Sequence, residues 1–335
     1  MKLGFHMGPV VLTGLNLQQQ WREHLDQVAA ARDHGFDFVS VGTHVVVHPF
    51  QYFNIHPWLA AITARAPELT VVSSVVLVPL ADPIEVAAQV ATLDVLCDGK
   101  FRFGAGLGYR PVEFDIFETS LRHRAKRFEE ALVVMKKLWT GKPVTHSGRF
   151  FTLDNVTASV TPRQAPHPPV WIATNSEPAT RRAAIIGDAP FWSPFLGGDA
   201  LRRHHELYLD TLAAHGRPFP AEVPIAREYS VGRTRAEAIS DGSAGMLRKW
   251  EVYAEHGLQG SLSEGDKRLI DDFEVMAKDT FVLGDPAECA DEILKYGEEY
   301  GITHMKLRLQ YPGMSHDKVM ERIALSGDVA ARLTQ

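Results

Sequence analysis

The stretch from Leu69 to Arg110 contains two apolar runs of strand length, with a helical pattern between them. The runs are Leu69–Val78 and Phe101–Ala105, and Pro83–Leu96 separates them. Continuous apolar strands are typical of parallel sheets that are covered on both faces, and parallel neighbours need a crossover connection. This stretch therefore predicts one strand–helix–strand unit of a parallel sheet.

The same alternation of strand-like and helical patterns extends through most of the chain. The predicted strands are Leu3–Met7, Phe36–Val41, Leu69–Val78, Phe101–Ala105, Val170–Ala173, Ala189–Pro194, Ile225–Val231 and Thr303–Leu309. The predicted helices are Gln20–His34, Pro57–Ala66, Pro83–Leu96, Arg122–Trp139, Pro178–Ile186, Ala200–His215, Arg235–Glu255, Pro286–Tyr300 and Ser315–Leu333. Eight strands with crossover helices indicate an α/β protein with a (β/α)8 TIM barrel. A doubly wound open sheet is the alternative, and the even dispersion of the units favours closure.

Two segments depart from this regular pattern. Residues 143–169 include SGRFFTLDNV, which predicts a short β-hairpin. Residues 257–283 are polar and rich in Gly and Ser at their start, which fits either a lid on the active-site face or a surface loop. We therefore expect one domain over residues 1–335, with these two segments as insertions.

The composition excludes several classes of protein. Apolar residues make up 45% of the chain and charged residues 23%, which is typical of a soluble globular protein. A net charge of −6 without a dense basic stripe argues against a nucleic-acid partner. The apolar runs are too short to span a bilayer, and MKLGFHMGPVV lacks the pattern of a signal peptide. Cys97 and Cys289 are far apart and form no recognisable motif, so we expect a reducing, cytoplasmic location and no membrane partner.

In a closed α/β barrel the active site lies at the carboxyl ends of the strands. His44 directly follows the second predicted strand. Because an imidazole titrates near neutral pH, a histidine at this place is a candidate general acid–base or a hydrogen-bonding partner for a cofactor. His48 lies four residues further on, but the intervening VVV and Pro49 are not helical and no HExxH motif is present. We therefore predict no metal site.

Small residues mark two further strand ends. Gly104–Gly108 has the spacing GxGxG rather than GxGxxG, and Pro111 follows it, so a dinucleotide-binding fingerprint is excluded. These glycines fit either close approach of a flat ligand or simple turn geometry. Ala173–Ser176 precedes the helix that begins at Pro178. It fits either an anion-binding helix N-terminus or an ordinary cap.

Two longer segments resemble the bacterial luciferase-like superfamily of flavin-dependent oxidoreductases. They are VPLADPIEVAAQVATLDVLCDGKFRFGAGLGY, which is followed by EF, and PPVWIATNSEPATRRAAIIGDA. The resemblance extends over most of the chain, from LGFHMG to YPGM. It implies a TIM barrel with a reduced flavin or deazaflavin across the barrel mouth, and a homodimer.

The resemblance also implies roles for individual residues. His44 matches the active-site histidine of the family, and the Ser74–Val75 bond matches a non-proline cis peptide that lies against the flavin ring. The expected cofactor-binding residues are Ser74, Val75, Gly106, Leu107, Gly108, Tyr109, Arg110, Ala173, Thr174, Asn175 and Ser176, the last three being the phosphate cradle.

Three positions depart from the family pattern. Thr43 stands where many members carry an acid before the histidine, so a carboxylate that orients His44 is expected to be missing. Tyr109 stands where deazaflavin-dependent sugar-phosphate dehydrogenases carry an acid. Leu107 stands in the segment where luciferases carry an arginine, which leaves Arg110 or Arg124 as the ligand for a cofactor phosphate.

These features predict an FMN-dependent monooxygenase that uses reduced FMN and molecular oxygen to oxygenate a small organic substrate, with a separate reductase supplying the reduced flavin. His44 is the expected general acid–base. The walls of the substrate pocket are expected to include Phe5, Trp192, Phe195 and Tyr109. A pocket lined by these apolar side chains suggests an uncharged or aliphatic substrate. The alternatives are a deazaflavin-dependent oxidoreductase that transfers hydride without oxygen, and a non-catalytic flavin-binding protein.

Overall fold

The computed structural model describes residues 1–8, 13–255, 273 and 277–334. In chain order its strands are β1 (Lys2–Met7), β2 (Phe38–Val41), β3 (Thr70–Ser73), β4 (Val76–Leu77), β5 (Phe101–Gly106), β6 (Val144–Ser147), β7 (Thr152–Val156), β8 (Val170–Thr174), β9 (Ala189–Trp192), β10 (Pro224–Val231), β11 (Phe281–Gly284) and β12 (His304–Arg308). Its α-helices are α1 (Leu17–Asp33), α2 (Ile55–Arg65), α3 (Pro83–Leu96), α4 (Pro111–Ile116), α5 (Arg124–Leu138), α6 (Glu177–Ile186), α7 (Gly198–Ala214), α8 (Arg235–Glu255), α9 (Pro286–Tyr300) and α10 (His316–Leu333).

The strands close into a parallel barrel. Around the barrel, β1, β2, β3, β5, β8, β9, β10 and β12 pair in this order, and β12 pairs with β1 to complete the ring. β4 continues the direction of β3 and pairs with β5. The predicted (β/α)8 TIM barrel is therefore confirmed, and each of the eight predicted strand runs contributes to the barrel.

The helix boundaries follow from capping residues in the sequence. Asp82 and Asp285 each accept hydrogen bonds from the first-turn backbone and precede a proline at the first helical position. At α9, Glu288 completes a capping box with Asp285. These local signals explain why α3 and α9 have the bounds that the sequence predicts.

Two described elements were not predicted. One is the short helix α4, which directly follows the glycine-rich exit of β5. The other is β11, which pairs with β10 over residues 228–231 and lies at the end of the segment predicted as a lid. Residues 256–272 and 274–276 of that segment lie outside the described residues, so the lid remains a prediction. In the segment 143–169, β6 and β7 form the predicted antiparallel hairpin.

The alternation of side chains along each strand separates the barrel interior from the outer core. Phe38, Trp171 and Phe191 pack inside the barrel, and His304 contacts the rings of Phe38 and Trp171. The neighbouring strand positions face outward and pack against the helices in the larger core cluster. Because aromatic side chains fill the amino end of the barrel, a ligand has room only at the carboxyl end.

Within the described ranges, none of the helices combines the length and the apolar character needed to cross a bilayer. The cysteines Cys97 and Cys289 are both buried and unpaired with each other.

Candidate active site

A cavity of about 370 Å³ opens at the carboxyl ends of the barrel strands. Most of the residues that the sequence predicted for the site line this cavity together. They are His44, Ser74, Val75, Gly106, Leu107, Gly108, Tyr109, Ala173, Thr174, Asn175, Ser176 and Trp192. The structure therefore brings together residues from the ends of five barrel strands, β2, β3, β5, β8 and β9.

Three predicted residues lie elsewhere. Phe5 is fully buried in the outer core, because the alternation along β1 turns Phe5 outward and His6 into the barrel. Phe195 follows the cavity rim but remains 57% exposed. Arg110 is engaged at the rim, where it donates to the carbonyl oxygen of Val46 and lies 3.6 Å from Glu113. None of the three contributes to the cavity lining.

The carboxylate that orients His44 is Glu113, from the unpredicted helix α4. Nδ1 of His44 lies 2.8 Å from Oε1 of Glu113, whose side chain is fully buried. Because an ionised carboxylate only accepts hydrogen bonds, Nδ1 carries the proton of this contact and Nε2 is the nitrogen presented to a ligand. The expectation that an orienting carboxylate is missing is therefore wrong, because a residue of α4 supplies it in place of position 43. The EF dipeptide after the glycine-rich exit was the available signal.

Aromatic rings flank the imidazole of His44. The ring centroid of Tyr52 lies 5.6 Å away and that of Tyr109 6.2 Å away, both in edge-on geometry. These rings cover part of the imidazole, which keeps only 20% of its side-chain surface exposed. The site therefore holds a histidine of fixed orientation in a largely apolar wall.

The Ser74–Val75 peptide is cis and interrupts the third barrel strand between β3 and β4. The opposing strand β5 carries Gly104 and Gly106 at this level. A Cβ at Gly104 would collide with the carbonyl oxygen of Ser73, and one at Gly106 would lie 2.5 Å from Cγ2 of Val75. Glycine is therefore required here because two backbones approach closely, which distinguishes these positions from ordinary turn glycines.

The predicted phosphate cradle lies at the N-terminus of α6. Ser176 is the N-cap residue, and its side chain makes no capping hydrogen bond. The first-turn N–H groups of α6 therefore lack a side-chain acceptor at the cap, which suits an anion. The hydroxyl of Thr174 donates to the carbonyl oxygen of Phe191 at 3.0 Å, and its role in the cradle stays a prediction.

Of the two candidate phosphate-binding arginines, only Arg124 lines the cavity. Its Nη1 donates to the carbonyl oxygen of Leu121 at 2.8 Å. Its Nε is buried and has no hydrogen-bond partner among the residues that the structure describes. A buried guanidinium N–H without a partner is costly, so it indicates a group whose acceptor is a ligand.

Sequence reasoning missed three basic side chains that line the cavity, namely His6, Lys306 and Arg308. His6 is bound to the Ser40 hydroxyl at 2.9 Å, and burial together with the charges of Lys306 and Arg308 holds its pKa well below the usual value. Burial lowers the pKa of Lys306 to about 7, with a further contribution from Arg308. The strand segments KLGFHM and HMKLR contained a signal for these inward-facing side chains, because every second residue of a barrel strand faces inward.

Comparison with known proteins decides the family. The profile described as "Luciferase-like monooxygenase" matches residues 1–304. The chain belongs to the luciferase-like monooxygenase family. No group of three or more potential metal-ligating side chains occurs in the described part of this family member.

Individual members of the family differ in the reactions for which they are named. An F420-dependent glucose-6-phosphate dehydrogenase of Nakamurella multipartita is 30% identical over 307 residues, which are 84% of this chain and 85% of that protein. A 4-hydroxyprotoasukamycin monooxygenase of Streptomyces nodosus subsp. asukaensis is 27% identical over 86% of this chain and 79% of its own length. Matches to two uncharacterized Sinorhizobium fredii proteins span only 40% and 51% of those proteins.

The fold is also that of solved family structures. The monooxygenase RslO1 from Streptomyces bottropensis superposes with a TM-score of 0.84 at 22% identity, over 98% of both chains. At this identity the similarity supports the shared barrel. Both monooxygenases and F420-dependent dehydrogenases are therefore similar to this luciferase-like protein.

Proposed function

We propose that this chain is an oxidoreductase that binds reduced FMN in the cavity and uses molecular oxygen to oxygenate a small organic substrate. The observation that carries the proposal is the 2.8 Å contact between His44 and Glu113 at the cavity wall. A histidine held by a buried carboxylate is a proton-transfer group of fixed tautomer and orientation. His44 lines the same cavity as the Ser74–Val75 peptide, against which the family resemblance implies that the flavin ring lies.

The residues present fit a flavin that carries a phosphate. Arg124 and the N-terminus of α6 both line the cavity. The buried Nε of Arg124 has no hydrogen-bond partner among the described residues, and Ser176 makes no capping hydrogen bond, so both favour an anion. Arg124, Asn175 and Ser176 would hold the phosphate, and Val75 would support the ring. Bound reduced FMN would supply the electrons and the centre at which oxygen reacts.

The roles of the protein groups follow from their contacts. His44 would hold or release a proton at Nε2, and Glu113 would stabilise the charged imidazole. Tyr52 and Tyr109 would exclude water from the neighbourhood of His44, because their rings cover it edge-on. Phe191 packs inside the barrel, lines the cavity and would form an apolar wall for the substrate. The side chain of the next residue, Trp192, packs in the outer core, with its ring centroid 5.8 Å from that of Tyr208.

Tyr109 favours the monooxygenase over a sugar-phosphate dehydrogenase. It lines the cavity next to His44, at the position where the resemblance implies an acid in the dehydrogenases. A phenol in place of that acid removes a carboxylate from the reacting centre. A second candidate, F420-dependent hydride transfer, is favoured by the similarity to the Nakamurella multipartita dehydrogenase over 84% of this chain.

An anaerobic titration separates the two candidates. The purified protein is titrated in parallel with reduced FMN and with reduced F420, and each complex is then mixed with oxygenated buffer. The monooxygenase proposal expects tight binding of reduced FMN and a reaction of the complex with oxygen that added substrates accelerate. Selective binding of reduced F420 without an oxygen reaction would replace it with the hydride-transfer candidate.

Binding of FMN without turnover of any substrate would instead favour the non-catalytic flavin-binding alternative.

A separate flavin reductase and a homodimer belong to the same proposal. Adding a flavin reductase with a nicotinamide donor should sustain oxygen uptake, and sedimentation should give twice the mass of the 37.2 kDa chain.

A further inference from the structure

Residues 193–196 form a turn between β9 and α7 that supplies part of the cavity wall. The backbone N–H of Leu196 donates to the carbonyl oxygen of Ser193 at 3.1 Å, with Pro194 at the second position, which is typical of a β-turn. Ser193 and Pro194 line the cavity, whereas Phe195 is 57% exposed. Because these residues lie outside the barrel strands, their position depends on contacts with neighbouring elements.

The guanidinium of Arg227 contacts both ends of this turn. Arg227 follows Ala226, which lines the cavity, so the alternation along β10 turns the arginine outward. Nη2 donates to the carbonyl oxygen of Leu196 at 2.8 Å, and Nη1 donates to that of Ser193 at 3.4 Å. Only 1% of Arg227 is exposed, and its side chain is not part of the cavity lining. The arginine therefore supports the wall from behind.

Tyr296 of α9 orients the guanidinium. Its hydroxyl accepts a hydrogen bond from Nε of Arg227 at 2.9 Å, and the guanidinium carbon lies 4.7 Å from the centroid of its ring. The same hydroxyl donates to the carbonyl oxygen of Asp279 at 3.1 Å. The backbone of Gly197 also approaches this point, since a Cβ at Gly197 would lie 2.6 Å from the carbonyl oxygen of Asp279. The turn is thus joined to the residues that precede β11.

A buried guanidinium with these partners is a strong restraint on the turn. Charge-assisted hydrogen bonds are stronger than neutral ones, and the planar fork of an arginine fixes their direction. Loss of Arg227 would take this donor from the carbonyl oxygen of Leu196, a residue that is only 6% exposed. Because a buried acceptor without its donor is unfavourable, the turn would move toward water.

We propose that Arg227 is a positioning residue, which fixes the turn at residues 193–196 as a wall of the cavity and limits the access of water to a ligand bound there. The inference rests on the proposed function for the identity of that ligand, which is FMN. The backbone N–H of Ser193 donates to the carbonyl oxygen of Thr174 at 3.0 Å, so the turn adjoins the predicted phosphate cradle. Displacement of the turn would therefore open the cavity beside the cofactor.

The test compares variants of Arg227 and Tyr296 with a variant of an arginine that has similar contacts elsewhere. Arg227→Gln removes the charge and the fork, Arg227→Lys keeps the charge, and Tyr296→Phe removes only the hydroxyl. Arg217→Gln is the matched control. Arg217 donates to the carbonyl oxygens of Ala184 and Gly187 at the carboxyl end of α6, and it does not line the cavity.

Chymotrypsin cleavage after Phe195 measures the opening of the turn in the unliganded protein. We expect cleavage to be about tenfold or more faster in Arg227→Gln than in the wild type, because charge-assisted hydrogen bonds that hold the turn are lost. Arg227→Lys and Tyr296→Phe should give intermediate rates, and Arg217→Gln should match the wild type. Mass spectrometry identifies the cleaved bond, and circular dichroism checks that each variant is folded. If Arg227→Gln does not fold, the two milder variants decide.

Acrylamide quenching of the fluorescence of bound FMN measures the access of solvent to the cofactor. The quenching constant should rise about twofold or more in Arg227→Gln, because the cavity beside the cofactor is then open to water. It should return toward the wild-type value in Arg227→Lys and stay unchanged in Arg217→Gln. A residue that only stabilised the fold would leave this constant unchanged in a variant that is folded.

Unchanged cleavage after Phe195 in the folded variants would overturn the inference. Faster cleavage without greater access of acrylamide to bound FMN would also overturn it, as would an equal increase of both in Arg217→Gln. If the wild type binds no FMN, the proposed function fails, and the cleavage rates alone decide whether Arg227 fixes the turn. Normal FMN binding together with unchanged cleavage removes only this inference.

Discussion

Nδ1 of His44, at the end of the second barrel strand, lies 2.8 Å from Oε1 of Glu113, which is 69 positions further along the chain. Glu113 is fully buried on a helix of six residues that begins at Pro111. The pair joins the exits of β2 and β5 across the cavity mouth. This contact supplies the orienting carboxylate that the residue before His44 does not provide.

If His44 transfers protons, its removal should lower turnover more than cofactor binding. We expect His44→Ala to reduce substrate-dependent oxygen uptake by about 100-fold, and Glu113→Gln by less, since the amide still restrains the ring. FMN affinity, measured by fluorescence quenching, should change little in both. The exposed Glu298→Gln is the control. Unchanged uptake in His44→Ala would remove the proposed role.

Arg124 should recognise the phosphate of the cofactor rather than its ring. Arg124→Gln is expected to weaken FMN binding by about tenfold or more, because one charge-assisted hydrogen bond is lost. Riboflavin lacks the phosphate, so its affinity should be nearly unchanged. The exposed neighbour Arg122→Gln serves as the matched control. Equal losses for FMN and riboflavin would show that Arg124 acts only on the structure of the pocket.

Because Gly106 has no side chain, it leaves room for the side chain of Val75 at the cavity wall. In Gly106→Ala the added methyl group would lie 2.5 Å from Cγ2 of Val75, so Val75 must move. We expect a loss of about 1–3 kcal/mol in the free energy of unfolding, measured by urea denaturation, together with weaker FMN binding. Gly297→Ala is the control, because its nearest contact is the flexible end of Met1 at 3.3 Å. Wild-type stability and FMN affinity in Gly106→Ala would contradict the close approach.

Buried histidines should make the protein less stable in mild acid. Burial, and to a smaller extent the charge of His316, lowers the pKa of His24 from 6.5 to about 4. The imidazole stacks on Trp58 at 5.5 Å, and neither ring nitrogen has a hydrogen-bond partner among the described residues. Between these two pKa values the unfolded chain binds the proton and the folded chain does not. The stability from His24 is therefore complete above about pH 6.5 and is lost as the pH falls toward 4.

His24→Phe should remove this part of the pH dependence. Urea denaturation between about pH 7 and about pH 4 should show a smaller fall in the free energy of unfolding, by up to about 3 kcal/mol. His56 and His304, whose pKa values burial also lowers to about 4, should keep a residual slope in the variant. The exposed His34→Gln is the control. A slope in His24→Phe as steep as in the wild type would contradict the assignment.

Much of the fold follows from short-range features of the sequence. Apolar runs of strand length, separated by helical periods, predict the eight barrel strands, and Asp-Pro pairs mark the starts of α3 and α9. These features act within a few residues, so they can be interpreted without knowing how the elements pack. Where the local pattern is short, as in the six residues of α4, the sequence did not predict the element.

The sequence by itself determined the barrel, and hence the edge of the sheet at which the site had to lie. The tertiary structure decided which side chains meet there. The alternation along β1 gives the cavity His6 rather than Phe5, and closure of the barrel brings Lys306 to Ser74 over 232 positions. Such contacts depend on strand register and on the closing of the ring, which no local pattern encodes.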